Sequence, residues 1–176
     1  MKTTKWVLDP AHSEITFKVK HLMISNVKGE FKTFEAAIDG EDFRTSNFTA
    51  TIDTSSIYTN NDDRDAHLKS ADFFEVEQYP EITFVSKSLK KVDDEEYKLV
   101  GDLTIKGTTK EITLDTEFGG FMKDPYGNEK AGFSINGKLN RKDFGLNWNA
   151  ALEAGGVMVG NEVKITAEVQ FVKQVS

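Results

Sequence analysis

The chain has 176 residues, with hydrophobic residues at 38% and charged residues at 29%, the balance of one globular domain over residues 1–176 rather than of a disordered chain. The absence of cysteine excludes a disulfide scaffold, a thiol nucleophile and a cysteine-ligated zinc or iron–sulfur centre. Lys and Arg number 22 against 29 Asp and Glu, a net charge of −7, the opposite of the sign a general nucleic-acid binder needs.

Residues 1–7 run into strand-like sequence with no apolar leader, and no stretch is apolar for the length of a bilayer. The chain therefore reads as a cytoplasmic protein without a transmembrane segment. Period-two alternation starts soon after. Ile15, Phe17, Val19 and His21 share one face of a strand, with Glu14, Thr16, Lys18 and Lys20 on the other. Phe31 and Phe34 cannot face the same side of a regular strand, nor can Phe84 and Leu89, which predicts β-bulges or bends at both places. Between them, residues 61–69 begin with acidic groups that suit a helix N-terminus. A short helix is predicted near residues 61–72, docked by Ala66, Leu68, Ala71, Phe73 and Phe74 and acting as a lid over one end of the molecule. Alternation then resumes at Tyr97, Leu99, Gly101, Leu103 and Ile105. It continues through Ile112, Leu114, Thr116 and Phe118, through Phe133, Ile135, Gly137 and Leu139, and through Val163, Ile165, Ala167, Val169 and Phe171. Residues 93–96 read as an acidic loop. Lys106-Gly107-Thr108 reads as a tight hairpin and residues 124–128 as a proline turn.

No βαβ spacing occurs, so the fold class is all-β. Eight or so antiparallel strands must hide their edges, and closing the sheet into a barrel does that most completely. A barrel of eight strands is near the size at which a ligand fits inside. Small inward residues such as Gly29, Ala50, Gly101, Gly137 and Ala167 leave room among the large ones. The competing reading is a filled barrel whose glycines serve curvature, which would make the chain a structural or interaction module. His21, at the end of an apolar row, is a candidate polar contact at a cavity mouth. His12, His21 and His67 lack metal-ligand spacing, and no nucleophile elbow or Cys–His pair exists. An enzyme acting on the head group of a bound ligand, with His21 or His67 as acid–base, is the alternative to a binding protein. Arg64 and Asp65 read as helix capping and surface pairing.

Several ordered motifs resemble one family. Trp6-Val7-Leu8-Asp9-Pro10-Ala11-His12-Ser13 opens the series, followed by His21 and Gly29-Glu30-Phe31. Arg64-Asp65-Ala66-His67-Leu68, Asp72-Phe73-Phe74 and Tyr79-Pro80-Glu81-Ile82-Thr83-Phe84 form the most specific part. Gly101-Asp102-Leu103-Thr104-Ile105-Lys106-Gly107, Ala131-Gly132-Phe133, Asn140-Arg141-Lys142-Asp143-Phe144-Gly145 and Gly160-Asn161-Glu162-Val163 complete it. Together they are similar to the YceI-like family of polyisoprenoid-binding, lipocalin-like barrel proteins. The resemblance implies an extended eight-stranded antiparallel β-barrel and a homodimer, while the residue pattern itself leads to no expected catalytic residue, metal or cofactor. It implies a bound polyisoprenoid, isoprenoid quinone-like lipid, fatty acid or fatty amide, held for transport, storage or sequestration. Joined to the inward rows, it gives a pore and mouth made of Phe17, Val19, His21, Phe31, Ile52, His67, Phe84, Leu103, Ile105, Leu114, Phe133, Ile135, Leu139, Val163, Ile165 and Val169.

Overall fold

A computed structural model describes residues 4–22, 24–149 and 159–175. The alternating rows form strands β1 (Thr4–Leu8), β2 (Glu14–His21), β3 (Ser25–Phe31), β4 (Phe34–Asp39), β5 (Asn47–Asp53) and β6 (Ile57–Tyr58). After helix α1 (Asp62–Lys69) come β7 (Glu81–Lys91), β8 (Glu96–Ile105), β9 (Thr108–Lys123), β10 (Glu129–Asn140) and β11 (Val159–Val175). Every ladder is antiparallel. The order β1-β4-β5-β7-β8-β9-β10-β11 returns to β1, closing an eight-stranded barrel, and β2, β3 and β6 extend the sheet beyond β11. The long β11 pairs with β1 over one part of its length and with β2 over another, so β1 and β2 lie end to end along it.

Local chemistry matches these turns. Lys106 and Gly107 both have positive φ, 51° and 76°, as a two-residue hairpin turn requires. Asp124 Oδ1 accepts from the backbone N–H groups of Tyr126 and Asn128, and Asp93 Oδ1 from those of Glu95 and Glu96. The helix is shorter than the sequence predicts. Asn61 caps it by accepting from Arg64 N, and Ser70 ends it by bonding His67 O. The slip between Phe84 and Leu89 is a bulge at residues 86–88, and that between Phe31 and Phe34 is the bend at residue 32 where β3 gives way to β4. A further register shift at Gly132/Phe133 faces Gly119 and Gly120, the latter at φ 109°.

The corner between β1 and β2 is tied by Asp9. Its carboxylate accepts from His12 Nδ1 at 2.8 Å, Lys130 Nζ at 3.0 Å and the Ala11 N–H at 3.1 Å. The His12 hydrogen bond, then Lys130 and the Ala11 amide, hold this carboxyl below the ordinary aspartate value against the opposing effect of burial.

One half of the barrel is packed solid. Phe43, on a 3₁₀ turn (Phe43–Thr45) outside the strands, points inward and is 2% exposed. Its ring lies 4.6 Å from that of Phe118, 5.1 Å from Phe133 and 5.6 Å from Tyr97, centroid to centroid. Phe48 and Phe171 pack edge-on to Phe133. Contrary to the sequence expectation, the three inward glycines do not leave open volume. The Phe84 ring covers Gly101, the Phe17 ring covers Gly29 and Leu114 covers Gly137. A Cβ at Gly101 would fall 2.5 Å from the Phe84 ring and 2.6 Å from the Val85 carbonyl oxygen.

Gly101→Ala is therefore expected to lower stability by about 1–3 kcal/mol in denaturant unfolding, because the Val85 backbone cannot yield as a side chain can. The Asp9 corner predicts acid sensitivity. A carboxyl with a lowered folded pKa contributes stability present above its unfolded pKa of about 3.9 and lost as pH falls through the folded value. Asp9→Asn should be less stable than the parent at neutral pH, and the gap should close progressively below about pH 4 when unfolding midpoints are measured against pH.

Candidate ligand-binding cavity

The other half of the barrel is hollow. A cavity of about 430 Å³ lies beneath α1, between β2–β3 on one side and the ends of β8 and β10 on the other. Phe17, Val19, His21, Phe31, Ile52, His67, Leu103, Ile105, Leu139, Val163 and Ile165 line it, as do Ile15, Val27, Leu68, Phe73, Phe74, Ile82, Leu146, Trp148 and Val159. Its polar lining is Thr16, Lys20, Asp63, Arg64 and Arg141 together with His21 and His67.

The remaining residues expected at the pore lie elsewhere. Phe133 belongs to the aromatic cluster, and Phe84 and Val169 are buried core residues. Leu114 and Ile135 pack against that core. The physical reason is that period-two alternation assigns a face but not a height along the barrel. All five point inward, at levels already filled by other side chains.

The roof is held by two buried polar devices. Asp65, expected on the surface, is 7% exposed. It accepts from Thr59 N and Thr59 Oγ1, while Arg64 Nε and Nη2 donate to Thr59 Oγ1 and Thr59 O. These bonds fasten α1 to the chain leaving β6. From α1 and its exit, Leu68, Phe73 and Phe74 reach down onto the cavity, and Phe74 meets Phe31 edge-on at 6.0 Å. His67 sits edge-on to Phe73 at 5.1 Å and Trp148 at 4.6 Å, with Nε2 2.9 Å from Asp72 Oδ2.

The second device is Arg141, on the 3₁₀ turn Arg141–Phe144 that follows β10, and it is 3% exposed. It donates to the carbonyls of Gly160, Leu146, Trp148 and Val159. No carboxylate pairs with it among the described residues. Burial lowers its pKa from the ordinary arginine value. The planar guanidinium fork lets one side chain join the β10 exit, the irregular segment leading from Leu146 and the start of β11. Asn149 adds to this junction, donating to Val159 O and accepting from Val159 N. Sequence reasoning missed both arginines as cavity residues, because a lone basic residue in a polar stretch ordinarily reads as surface. The only pointer to Arg141 was its place in a motif.

Arg141→Lys should keep the charge but lose the fork, lowering unfolding free energy by about 2–4 kcal/mol in denaturant titration. Retention of full stability would show that the four carbonyl bonds do not hold the junction.

Comparison with known proteins follows the same outline. Residues 6–171 match the YceI-like domain. The chain belongs to the YceI-like family. A UPF0312 protein of Staphylococcus aureus (strain MSSA476) is 49% identical over 171 residues, covering 96% of this chain and 97% of the relative. The crystal structure of the YceI protein of Campylobacter jejuni is 40% identical, with TM-score 0.73 over 87% of this chain and 88% of that one. A polyisoprenoid binding domain from Saccharophagus degradans shares the fold at 15% identity, with TM-score 0.68, covering 95% of this chain and 97% of that one. Among the described residues of this YceI-like chain, no helix is long and apolar enough to cross a membrane, and no cluster of three or more acidic or histidine side chains is arranged to hold a metal.

Proposed function

We propose that this YceI-like protein binds an amphipathic lipid without chemically altering it, for transport, storage or sequestration. The ligand is a polyisoprenoid, an isoprenoid quinone-like molecule, or a fatty acid or amide. The observation that carries this reading is the half-hollow barrel, a cavity of about 430 Å³ walled mainly by aliphatic and phenyl side chains. Pockets of this size with apolar walls and a few polar groups at one side are the usual form of small-ligand sites. An isoprenoid or acyl tail has no hydrogen-bonding group, so such walls satisfy it. Each methylene buried contributes about 0.8 kcal/mol. Lys20, His21, Arg64 and His67 are among the polar residues that line the cavity, and a head group would find its polar partners there. The polyisoprenoid binding domain from Saccharophagus degradans has the same fold, which supports the reading at the level of ligand class.

The volume also sets a length. At roughly 30 Å³ per water-sized group, the cavity holds about 14 such groups, or about three isoprene units. A longer tail must displace the aromatic cluster around Phe43 or leave by the mouth.

Organic extraction of purified protein followed by mass spectrometry should recover an intact prenyl or acyl lipid. Repeated absence of any lipid, with no uptake of added isoprenoid, would contradict the reading, and recovery of a converted product would favour catalysis. Filling the cavity with Ile165→Trp should lower uptake of a prenyl or acyl probe at least tenfold while far-ultraviolet circular dichroism is unchanged. In a series of saturated acyl probes, affinity should rise with each carbon up to about 14 and then level off.

A further inference from the structure

The outer face of the cavity wall carries an arrangement that neither the core nor the cavity explains. Lys138 of β10 faces Lys164 of β11, Lys164 faces Lys18 of β2, and Lys18 faces Lys28 of β3, each directly across a ladder. Four like charges thus form one row across four adjacent strands about 4.8 Å apart. Like charges directly opposite one another destabilise a sheet. None of the four forms an ion pair among the described residues. Lys28, Lys138 and Lys164 are exposed and Lys18 half-exposed. Acidic groups on this face lie beside the row rather than in it: Glu30 and Glu162 are two residues along their strands, Glu14 and Glu168 four residues along theirs, and Asp115 is paired with Lys98. Opposed like charges occur elsewhere in the sheet only as pairs among the described residues, as at Lys90–Lys98 and Glu96–Glu117, whereas here four lysines line up in a chain of net charge −7.

A second, independent feature stands at the end of the same hairpin. Between β2 and β3 the chain turns through Leu22 at φ 54°, and Leu22 is 38% exposed and Ile24 85% exposed. The strand residues next to this tip, Val19, His21 and Val27, line the cavity, so the tip stands beside the hollow half of the barrel and away from the aromatic cluster. Half-buried Trp148, an amphipathic ring suited to a lipid–water boundary, lines the same cavity.

We propose that the β2–β3 hairpin docks the protein on an anionic lipid bilayer. The apolar tip enters the interface and the lysine row lies on negative head groups. An aqueous polyanion would satisfy the lysines but would leave Ile24 in water. A neutral apolar surface would satisfy Ile24 but not the lysines. An anionic bilayer satisfies both. Docking there would bring the cavity against the membrane that supplies or receives a lipid, so the functional meaning rests on the lipid-binding reading, although the docking itself does not.

Flotation of the full-length protein with vesicles tests this. Vesicles of phosphatidylcholine with 30% phosphatidylglycerol should carry the protein, pure phosphatidylcholine vesicles should not, and binding should weaken as salt rises. The triple variant K28Q/K138Q/K164Q should lose about a hundredfold in partitioning. The tip variant L22S/I24S should lose about tenfold at unchanged charge. Both change exposed side chains, and circular dichroism together with uptake of a soluble prenyl or acyl probe should match the parent. Three results would overturn the docking. They are no binding to either vesicle, equal binding to both, or a tip variant that binds anionic vesicles as the parent does, which would indicate a simple polyanion surface. If instead the parent floats but never takes up the probe, docking stands and the lipid-binding reading fails.

Discussion

Phe43 enters the barrel from a turn outside the sheet, and the character of the interior follows from where it stops. Its ring fills the space between Phe118, Phe133 and Tyr97, so that end of the barrel is closed by tilted and edge-on rings at ordinary packing distances. At the α1 end, Leu68, Phe73 and Phe74 reach onto the cavity from above, and the inward residues Val19, Ile105, Leu139, Val163 and Ile165 line open space. A barrel of eight strands can be filled or can hold one small ligand. This one does both, in different halves.

A void beneath a single short helix requires that the helix be held in place. Its eight residues are too few to be stable alone. The buried carboxylate of Asp65 and the guanidinium of Arg64 both converge on Thr59, and Arg141 joins three chain segments through their carbonyls. Each of these charged side chains is costly to bury without hydrogen bonds, and each is placed where its bonds fix the roof or side of the cavity. Polar chemistry here supports an apolar site. The same strands that present Phe17, Val19, Val27 and Ile165 inward present Lys18, Lys28 and Lys164 outward. The pleat therefore couples a dry wall to a basic surface.

The fold was legible because period two survives in a half-buried sheet. The rows at Ile15, Tyr97, Phe133 and Val163 became β2, β8, β10 and β11, and the parity slip before Leu89 became a bulge. Most of the cavity residues that were legible lay on those rows, and Phe31, Ile52 and His67 were legible off them. Phe43 was not, since it comes from a turn where no periodicity applies, and without it the filled half could not be separated from the hollow half. That is why Phe133 and Val169 read the same way in sequence as Leu139 and Val163. Gly29, Gly101 and Gly137 misled for a related reason: a missing side chain on one strand is a seat for a large one on the next. The lysine row was invisible until register was known, because its members are up to 146 residues apart in sequence (Lys18 to Lys164) yet lie in line across the sheet.

The most direct measurement is the crystal structure of the protein loaded with an acyl or prenyl lipid brominated near the tail end. Anomalous scattering should place the bromine inside the barrel among Leu103, Ile105 and Ile165, with Phe43 and Phe133 unmoved. A bromine peak within the displaced aromatic cluster, or one found only on the outer surface with the space beneath α1 closed, would contradict the account.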